Sequence, residues 1–381
     1  MRRARAFEGR RSPANERAVN YPERVERARA RMDELGVDVL LLSVGPDLPY
    51  LVGYEAMPLE RLTMLVLPRR GDAHLVVPRL EAPRVTPRPE LFEIVPWEET
   101  DDPVALVARL VGERTARAAI GDHTWARFVL DLQHALPLAA FQRASEVLAP
   151  IRMVKDASEI EALRAAAHAV DAIAAEMRDR PFVGRSEIDL HRELVERMLE
   201  RGHERSNFAI VAAGENAASP HHEPTADRVV AEHDIVLCDF GGTMHGYCSD
   251  ITRMFYAGEP PADVRDTYAV LVEAQEAGVR AATVGTACAE VDAAARRVIT
   301  EAGLGEFFVH RVGHGIGQEA HEDPYMVSGN DVPIAAGYAF SVEPGIYFSG
   351  RFGMRLEDIV VATDAGPLRL NDAPRDLARV G

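Results

Sequence analysis

Two segments in the C-terminal half of the sequence each carry a pair of acidic residues at a spacing that suits a strand–turn–strand hairpin. In the first, HDIVLCDFGGTMHGYCSDITRMF (His233–Phe255), Ile235–Phe240 and Tyr247–Phe255 have the apolar content of buried strands. A hairpin symmetric about the junction of residues 244 and 245 places Asp239 opposite Asp250, with Cβ atoms about 5 Å apart. Two like charges at this distance require either protonation of one acid or a cation between them.

The second acidic pair lies in YAFSVEPGIYFSGRFGMRLEDIVV (Tyr338–Val361). Symmetry about Gly350 places Glu343 opposite Glu357 in this hairpin. For one hairpin alone, a salt bridge with an arginine, here Arg355, explains a buried acid pair as well as a metal does. Two such hairpins in one domain favour metal binding.

Three histidines lie between the two hairpins, in the segment HRVGHGIGQEAHEDP. They are His310, His314 and His321. The glycines of this segment lack the spacing of a nucleotide-binding loop, and Pro324 follows soon after, which disfavours a phosphate site. Four carboxylates and one imidazole instead suit two divalent ions such as Mn, Co, Fe or Zn. Two ions about 3.5–4 Å apart can share a hydroxide and stabilise a tetrahedral intermediate, so the predicted chemistry is hydrolysis of an amide.

The elements around these residues predict two domains, in keeping with a length of 381 residues. Residues 1–19 are predicted to form a flexible tail, because this arginine-rich stretch lacks the apolar core of a secretory signal. Residues 20–150 alternate helices and strands, starting with a helix over Tyr21–Leu35, and predict an α/β domain with a mixed or parallel sheet. Residues 151–381 combine helices with antiparallel hairpins, which predicts an α+β domain.

Helix signals mark the start of the second domain. Pro150 is expected to break the helical pattern that precedes it. Ser158 is expected to cap the first helix of this domain, because Glu161 lies three residues later and completes a capping box. A second helix is predicted from about Ser186 to Gly202, with Ser186 as its cap and Gly202 as its terminator.

Composition excludes several classes of protein. The net charge of −17 disfavours nucleic-acid binding, which needs clustered Lys and Arg. The three cysteines include no CxxC pair, so the sequence predicts neither a disulfide framework nor a structural zinc site, and it fits a reducing cytoplasm. No apolar run reaches the roughly 20 residues that a membrane-spanning helix needs. We therefore expect a cytoplasmic protein with neither nucleic acid nor membrane as a partner.

The metal-binding candidates and their surroundings resemble the pita-bread metallopeptidases, a family that includes Xaa-Pro dipeptidases (prolidases), Xaa-Pro aminopeptidases and methionine aminopeptidases. The strings DFGG, SDITR, GHGIG, VEPGIY and RLED carry the ligand order Asp, Asp, His, Glu, Glu of that family. The corresponding residues are Asp239, Asp250, His314, Glu343 and Glu357. The resemblance implies a pita-bread fold for the α+β domain, and residues 20–150 resemble the N-terminal domain of the creatinase and prolidase branch.

The resemblance also implies a role for each ligand. Asp239 chelates one metal, and Asp250 and Glu357 bridge both. His314 and Glu343 complete the second metal, and Glu343 also takes a proton from the bridging water. The two ions are expected to be Mn, Co, Zn or Fe, with manganese preferred.

Further residues are implied around the substrate. His221, in the string SPH, and His321 match histidines that hold the scissile carbonyl and stabilise its oxyanion. His222 stands where the family often has a small residue, which leaves the choice between His221 and His222 open. Three other residues are expected near the substrate or behind the ligands: His310 in the substrate pocket, Arg355 behind Glu357, and Tyr347 either in the proline pocket or in the core.

The implied activity is hydrolysis of peptide bonds that adjoin proline, whose tertiary amide sets them apart from other peptide bonds. The sequence leaves open whether the enzyme is an Xaa-Pro dipeptidase or an Xaa-Pro aminopeptidase. The resemblance implies a small peptide substrate and a homodimer. Two alternatives are a hydrolase of a small non-peptide amide, similar to ectoine hydrolase, and a catalytically inactive binding module, which the complete ligand set disfavours.

Overall fold

The computed structural model describes residues 19–381, so the tail predicted over residues 1–19 lies outside the described residues except for its last position. The described residues form two compact units, residues 19–152 and Met153–Gly381. Within residues 19–381, none of the helices combines the length and apolar content needed to span a bilayer.

The first unit is a mixed six-stranded sheet with helices on both faces, in the order β4-β3-β2-β1-β5-β6. The pairs β1/β2 and β2/β3 are antiparallel, and the other neighbours are parallel. Side chains of β1 alternate between two cores: Leu40 and Leu42 pack with α1, whereas Val39 and Leu41 pack with α3 and α4. The elements are α1 (Tyr21–Leu35), β1 (Val39–Leu42), α2 (Asp47–Val52), β2 (Met64–Pro68), β3 (His74–Pro78), β4 (Glu93–Trp97), α3 (Pro103–Val111), β5 (Arg117–Ile120), α4 (Ala126–Ala135), β6 (Ala140–Arg143) and α5 (Ser145–Met153).

The second unit contains two five-stranded sheets, one that joins β18, β10, β8 and β7 with β9 on β8, and one in the order β12-β11-β13-β16-β17. Helices α6 and α7 share a core with the first sheet, and α8 and α9 share a core with β13 and β16 of the second. The helices are α6 (Ala157–Met177), α7 (Glu187–Glu200), α8 (Ala262–Ala281) and α9 (Cys288–Glu301). The strands are β7 (Arg205–Ala213), β8 (Ile235–Met244), β9 (Tyr247–Cys248), β10 (Ile251–Ala257), β11 (Gly313–Gly315), β12 (Glu322–Met326), β13 (Ala339–Val342), β14 (Gly345–Phe348), β15 (Phe352–Arg355), β16 (Asp358–Thr363), β17 (Gly366–Arg369) and β18 (Ala378–Val380).

The first helix of the second unit begins before the predicted cap. Asp156 is the N-cap, because its side chain accepts hydrogen bonds from the backbone N–H groups of Ser158 and Glu159. The Glu159 side chain accepts in turn from the Asp156 N–H, which closes a capping box. The prediction of Ser158 with Glu161 is wrong because two overlapping motifs satisfy the same pattern, and the one with aspartate forms.

The prediction that Pro150 ends the preceding helical pattern is also wrong. Helix α5 runs through Pro150 and continues to Met153. A proline inside a helix removes a single backbone hydrogen bond, here to the carbonyl of Glu146, and the short helix tolerates this loss.

The hairpin that carries both aspartates has a register different from the predicted one. Asp239 pairs with Thr252 and not with Asp250. The turn residues His245 and Gly246 have φ values of 53° and 77°, which are typical of a two-residue type I′ turn. This turn places the hairpin axis between residues 245 and 246. Asp250 therefore lies two positions from the residue opposite Asp239, on the same face of the sheet, because strand faces alternate with a period of two.

The hairpin that carries both glutamates has the predicted register. The pairs Val342↔Asp358 in β13/β16 and Gly345↔Arg355 in β14/β15 are both symmetric about Gly350. Glu343 and Glu357 lie at the break between these two pairs of strands, each seven residues from Gly350.

Candidate metal centre

The five predicted ligands converge in the second unit. Two groups of three residues, Asp239–Asp250–Glu357 and His314–Glu343–Glu357, each have ligand atoms within 4.8 Å of one another. Asp250 also forms such a group with His314 and His321. Glu357 and Asp250 therefore each belong to two of these three groups. Ligands that bridge two ions would share this property.

Three carboxylate oxygens at the centre have no hydrogen-bond donor within residues 19–381. They are Asp239 Oδ1, Asp250 Oδ1 and Glu357 Oε1, and all three are buried. Burial raises the pKa of Asp239, and it raises the pKa of Asp250 and Glu357 well above the usual range, with neighbouring acids adding to the effect. Buried oxygens without partners cost free energy unless a cation satisfies them. The residues thus fit divalent metal ions.

Glu343 and His314 form the other side of the centre. His314 Nε2 lies 3.1 Å from Glu343 Oε1, and the Ser341 hydroxyl donates to the same oxygen at 3.1 Å. Burial tends to raise the pKa of Glu343, but the hydrogen bond and charge of His314 in its protonated form, together with Arg355, lower it to about 2. His314 Nδ1 lies 3.1 Å from the carbonyl of Gly315, and donation to that oxygen leaves Nε2 facing the acids as a ligand.

Arg355 contacts an acid other than the one we expected. Its guanidinium donates to Asp239 Oδ2 at 2.5 Å and to the Thr252 hydroxyl at 3.2 Å. The Thr252 hydroxyl donates in turn to Glu357 Oε2 at 2.8 Å. Arg355 therefore orients Asp239 directly and reaches Glu357 through Thr252.

Tyr347 and His310 extend this polar network. The Tyr347 hydroxyl accepts a hydrogen bond from Arg355 at 2.7 Å and lies 3.0 Å from His310 Nε2. Burial raises the pKa of Tyr347 to about 12 and lowers that of His310. Tyr347 is buried, and its hydroxyl contacts polar groups beside the candidate ligands.

The histidines assigned to the substrate occupy different environments. The rings of His314 and His321 lie 3.9 Å apart, and both His321 and His221 are exposed. Desolvation, followed by the charge of His314, lowers the pKa of His321 to about 4, and the charge of His221 adds to this effect. His222 Nε2 instead lies 2.8 Å from Glu187 Oε2. His222 is therefore bound to a buried acid, whereas the charge of His221 acts on His321.

Sequence reasoning missed three residues that support the site: Thr252, Ser341 and Glu187. Thr252 could have been found, because it lies two residues after Asp250 in a strand and so shares its face. Glu187 gave no such signal, since an acid in the first turn of a helix is explained by the helix dipole alone.

Two family models and curated relatives match this chain. The model of metallopeptidase family M24 matches residues 160–364, and that of the creatinase/prolidase N-terminal domain matches residues 24–154. A probable dipeptidase PepE from Mycobacterium tuberculosis is 43% identical over 94% of this chain and 96% of its own length. An Xaa-Pro dipeptidase from Lactobacillus delbrueckii subsp. lactis is 34% identical over 88% of this chain and 93% of its own length.

The fold is similar to that of a solved structure. The recombinant prolidase from Thermococcus sibiricus superposes with a TM-score of 0.89 at 33% identity, covering 95% of this chain and 100% of that one. The chain therefore belongs to metallopeptidase family M24, as a hydrolase in which a pita-bread catalytic domain follows a creatinase-type N-terminal domain.

Proposed function

We propose that this protein is an Xaa-Pro dipeptidase that uses two divalent metal ions to cleave small peptides. The observation that carries the proposal is the cluster of buried acids around His314, in which three carboxylate oxygens have no donor within residues 19–381. The printed names of the relatives, dipeptidase and Xaa-Pro dipeptidase, support cleavage of dipeptides in particular.

The five side chains divide between two ions. Asp239, Asp250 and Glu357 would hold the first, and His314 and Glu343 would hold the second together with Asp250 and Glu357. Four carboxylates and one imidazole favour hard or borderline ions, and we propose Mn²⁺ first among Mn, Co, Zn and Fe. When bound, the ions supply an activated water as the nucleophile and polarise the scissile carbonyl.

The protein's own groups act around these ions. Glu343 accepts the proton of the nucleophile, a role supported by its place beside His314 at the centre. His221 and His321 donate hydrogen bonds to the carbonyl oxygen as negative charge develops on it. The lowered pKa of His321, about 4, keeps this ring neutral near pH 7, so that it donates without carrying charge. His310 and Tyr347 are proposed to contact the substrate beside Glu343.

Two further features of the proposal concern the whole protein. The three cysteines are free and buried, which supports residence in a reducing compartment such as the cytoplasm. We also expect a homodimer from the family resemblance. Light scattering coupled to size-exclusion chromatography measures the mass of the particle, and a monomer at all concentrations contradicts the dimer.

The activity is tested with protein that has been treated with a chelator and then given Mn²⁺. Three substrates separate the alternatives: an Xaa-Pro dipeptide, an Xaa-Pro-Yaa tripeptide and an Xaa-Ala dipeptide. We expect cleavage of the Xaa-Pro dipeptide that disappears when the chelator is added in excess. Efficient cleavage of the tripeptide instead indicates an aminopeptidase. No cleavage of any peptide by protein that binds Mn²⁺ contradicts the proposal and favours a small non-peptide amide as substrate.

A further inference from the structure

The loop that carries His221 is anchored on both sides of that residue. On the N-terminal side, the carbonyl of Pro220 accepts a hydrogen bond from Arg355 of the metal centre at 3.2 Å. On the C-terminal side, His222 Nε2 lies 2.8 Å from a carboxylate oxygen of Glu187. Because His221 itself is exposed, its position depends on these two neighbours more than on packing of its own ring.

Glu187 gathers donors from both ends of the loop. It is the first residue of α7 and is fully buried, with 0% of its surface exposed. Its Oε1 accepts from the Ala213 N–H at 2.8 Å and from the Asn216 side chain at 3.0 Å. Its Oε2 accepts from the Thr225 N–H at 3.2 Å and contacts His222. A buried carboxylate with this many donors is a rigid anchor, because moving it leaves several buried N–H groups unpaired.

The start of the same loop lies directly on a strand of the metal centre. The 3₁₀ turn Gly214–Ala218 packs on β15 so closely that a Cβ atom at Gly353 would lie 2.1 Å from the carbonyl oxygen of Ala217. Strand β15 ends at Arg355, which binds Asp239. The position of the loop is therefore tied to the position of the acids.

We propose that Glu187 and His222 form a clamp that fixes His221 beside the metal centre, which makes both of them positioning residues for the hydrolysis. The inference rests on the proposed function, in which His221 donates to the substrate carbonyl. A small side chain at position 222 could not span the distance to Glu187, so the imidazole is what links the loop to α7. The clamp acts only through His221.

Kinetics on five variants, with His221→Ala among them, test this claim. His222→Ala is expected to lower kcat for an Xaa-Pro dipeptide by roughly 10- to 100-fold, because a misplacement of about 1 Å can cost about 100-fold. His222→Gln keeps an N–H donor and is expected to recover most of that loss. His168→Ala, which removes an exposed histidine of α6, is the control and is expected to leave kcat unchanged.

The decisive variant combines His221→Ala with His222→Ala. Its kcat is expected to equal that of His221→Ala alone, because a positioning residue has no further effect once the group that it positions is gone. If the two losses multiply, His222 acts independently of His221 and the proposal is overturned.

Hydrogen exchange supplies a readout that does not depend on activity. Glu187→Gln and His222→Ala are expected to speed amide exchange in residues 213–225, including the N–H groups that Glu187 binds, while the rest of the second unit keeps its protection. If Glu187→Gln does not fold, His222→Ala carries the same expectation. Unchanged exchange in the folded variants overturns the clamp. Wild-type protein that cleaves no Xaa-Pro dipeptide contradicts the proposed function instead, and the exchange experiment still decides whether the clamp exists.

Discussion

Replacement of Thr252 by valine isolates one hydrogen-bonding group behind the metal ligands. Thr252 is fully buried, and its hydroxyl donates to Glu357 Oε2 at 2.8 Å and accepts from Arg355 Nε at 3.2 Å. Valine keeps the β-branched shape and removes the hydroxyl, and with it these two bonds. Arg355 carries charge, as does Glu357 once a cation is bound, and a hydrogen bond to a charged group contributes about 1.5–3 kcal/mol.

We expect Thr252→Val to weaken Mn²⁺ binding by about 10- to 100-fold, which is typical for loss of a group that orients a metal ligand. This factor corresponds to about 1.4–2.8 kcal/mol of binding free energy. Because Glu357 is proposed to bridge both ions, both binding steps should weaken. Isothermal titration of chelator-treated protein with Mn²⁺ at fixed pH measures both affinities.

Thr243→Val is the matched control. Thr243 is also buried in the second unit, and its hydroxyl donates to Asn207 rather than to a proposed ligand. We expect it to lose about 0.5–1.5 kcal/mol of unfolding free energy and to keep its Mn²⁺ affinity. The reasoning is refuted if Thr252→Val binds Mn²⁺ as tightly as the wild type, or if Thr243→Val weakens binding equally.

Three other predictions test the site and the fold. Asp250→Ala and Glu357→Ala should each abolish Mn²⁺ binding and turnover together, measured by elemental analysis and peptide hydrolysis, and full activity in either variant contradicts a two-metal site. His221→Ala should retain both ions but raise the barrier by about 2.7–4 kcal/mol, as for a lost oxyanion donor, and loss of metal would mean that its role is misassigned. His203 is buried, and burial lowers its pKa, so the unfolded chain binds this proton more readily than the folded protein does. Unfolding free energy should therefore fall as the pH drops below about 6.5, the unfolded pKa, until the folded pKa is passed. Urea titrations of wild type and His203→Asn between pH 7 and pH 5 test this, since an identical pH slope in the variant excludes His203 as the cause.

The five candidate ligands, which the structure brings together, could be picked out of the sequence because their signal is local. Each lies in a short string of characteristic residues, and the glutamate hairpin folds about Gly350, where a glycine with a φ of 72° makes the turn easy to locate. The aspartate hairpin was harder to predict because its turn begins at His245, a residue that rarely adopts a positive φ. The prediction places that turn one residue too early. The observed strand pairing is therefore shifted by two residues from the predicted pairing, and Asp239 and Asp250 stay on one face of the sheet.

Two of the contacts that support the ligands could not be predicted, because the partners are distant in the chain. Arg355 binds Asp239 across 116 positions, and its nearer neighbour Glu357 was the obvious candidate in the sequence. Glu187 and His222 are separated by 35 positions, and nothing in either local pattern indicates that they meet. Such contacts depend on the packing of whole strands and helices against one another, which residue spacing alone does not determine.

Anomalous diffraction from crystals grown with Mn²⁺ tests the central claim most directly. The account predicts two anomalous peaks, with carboxylate oxygens of Asp250 and Glu357 between them, Asp239 on one peak, and His314 and Glu343 on the other. Peaks about 3.5–4 Å apart would match a site in which two ions act on one water. A single peak, or peaks that do not contact these five side chains, would contradict the two-metal centre.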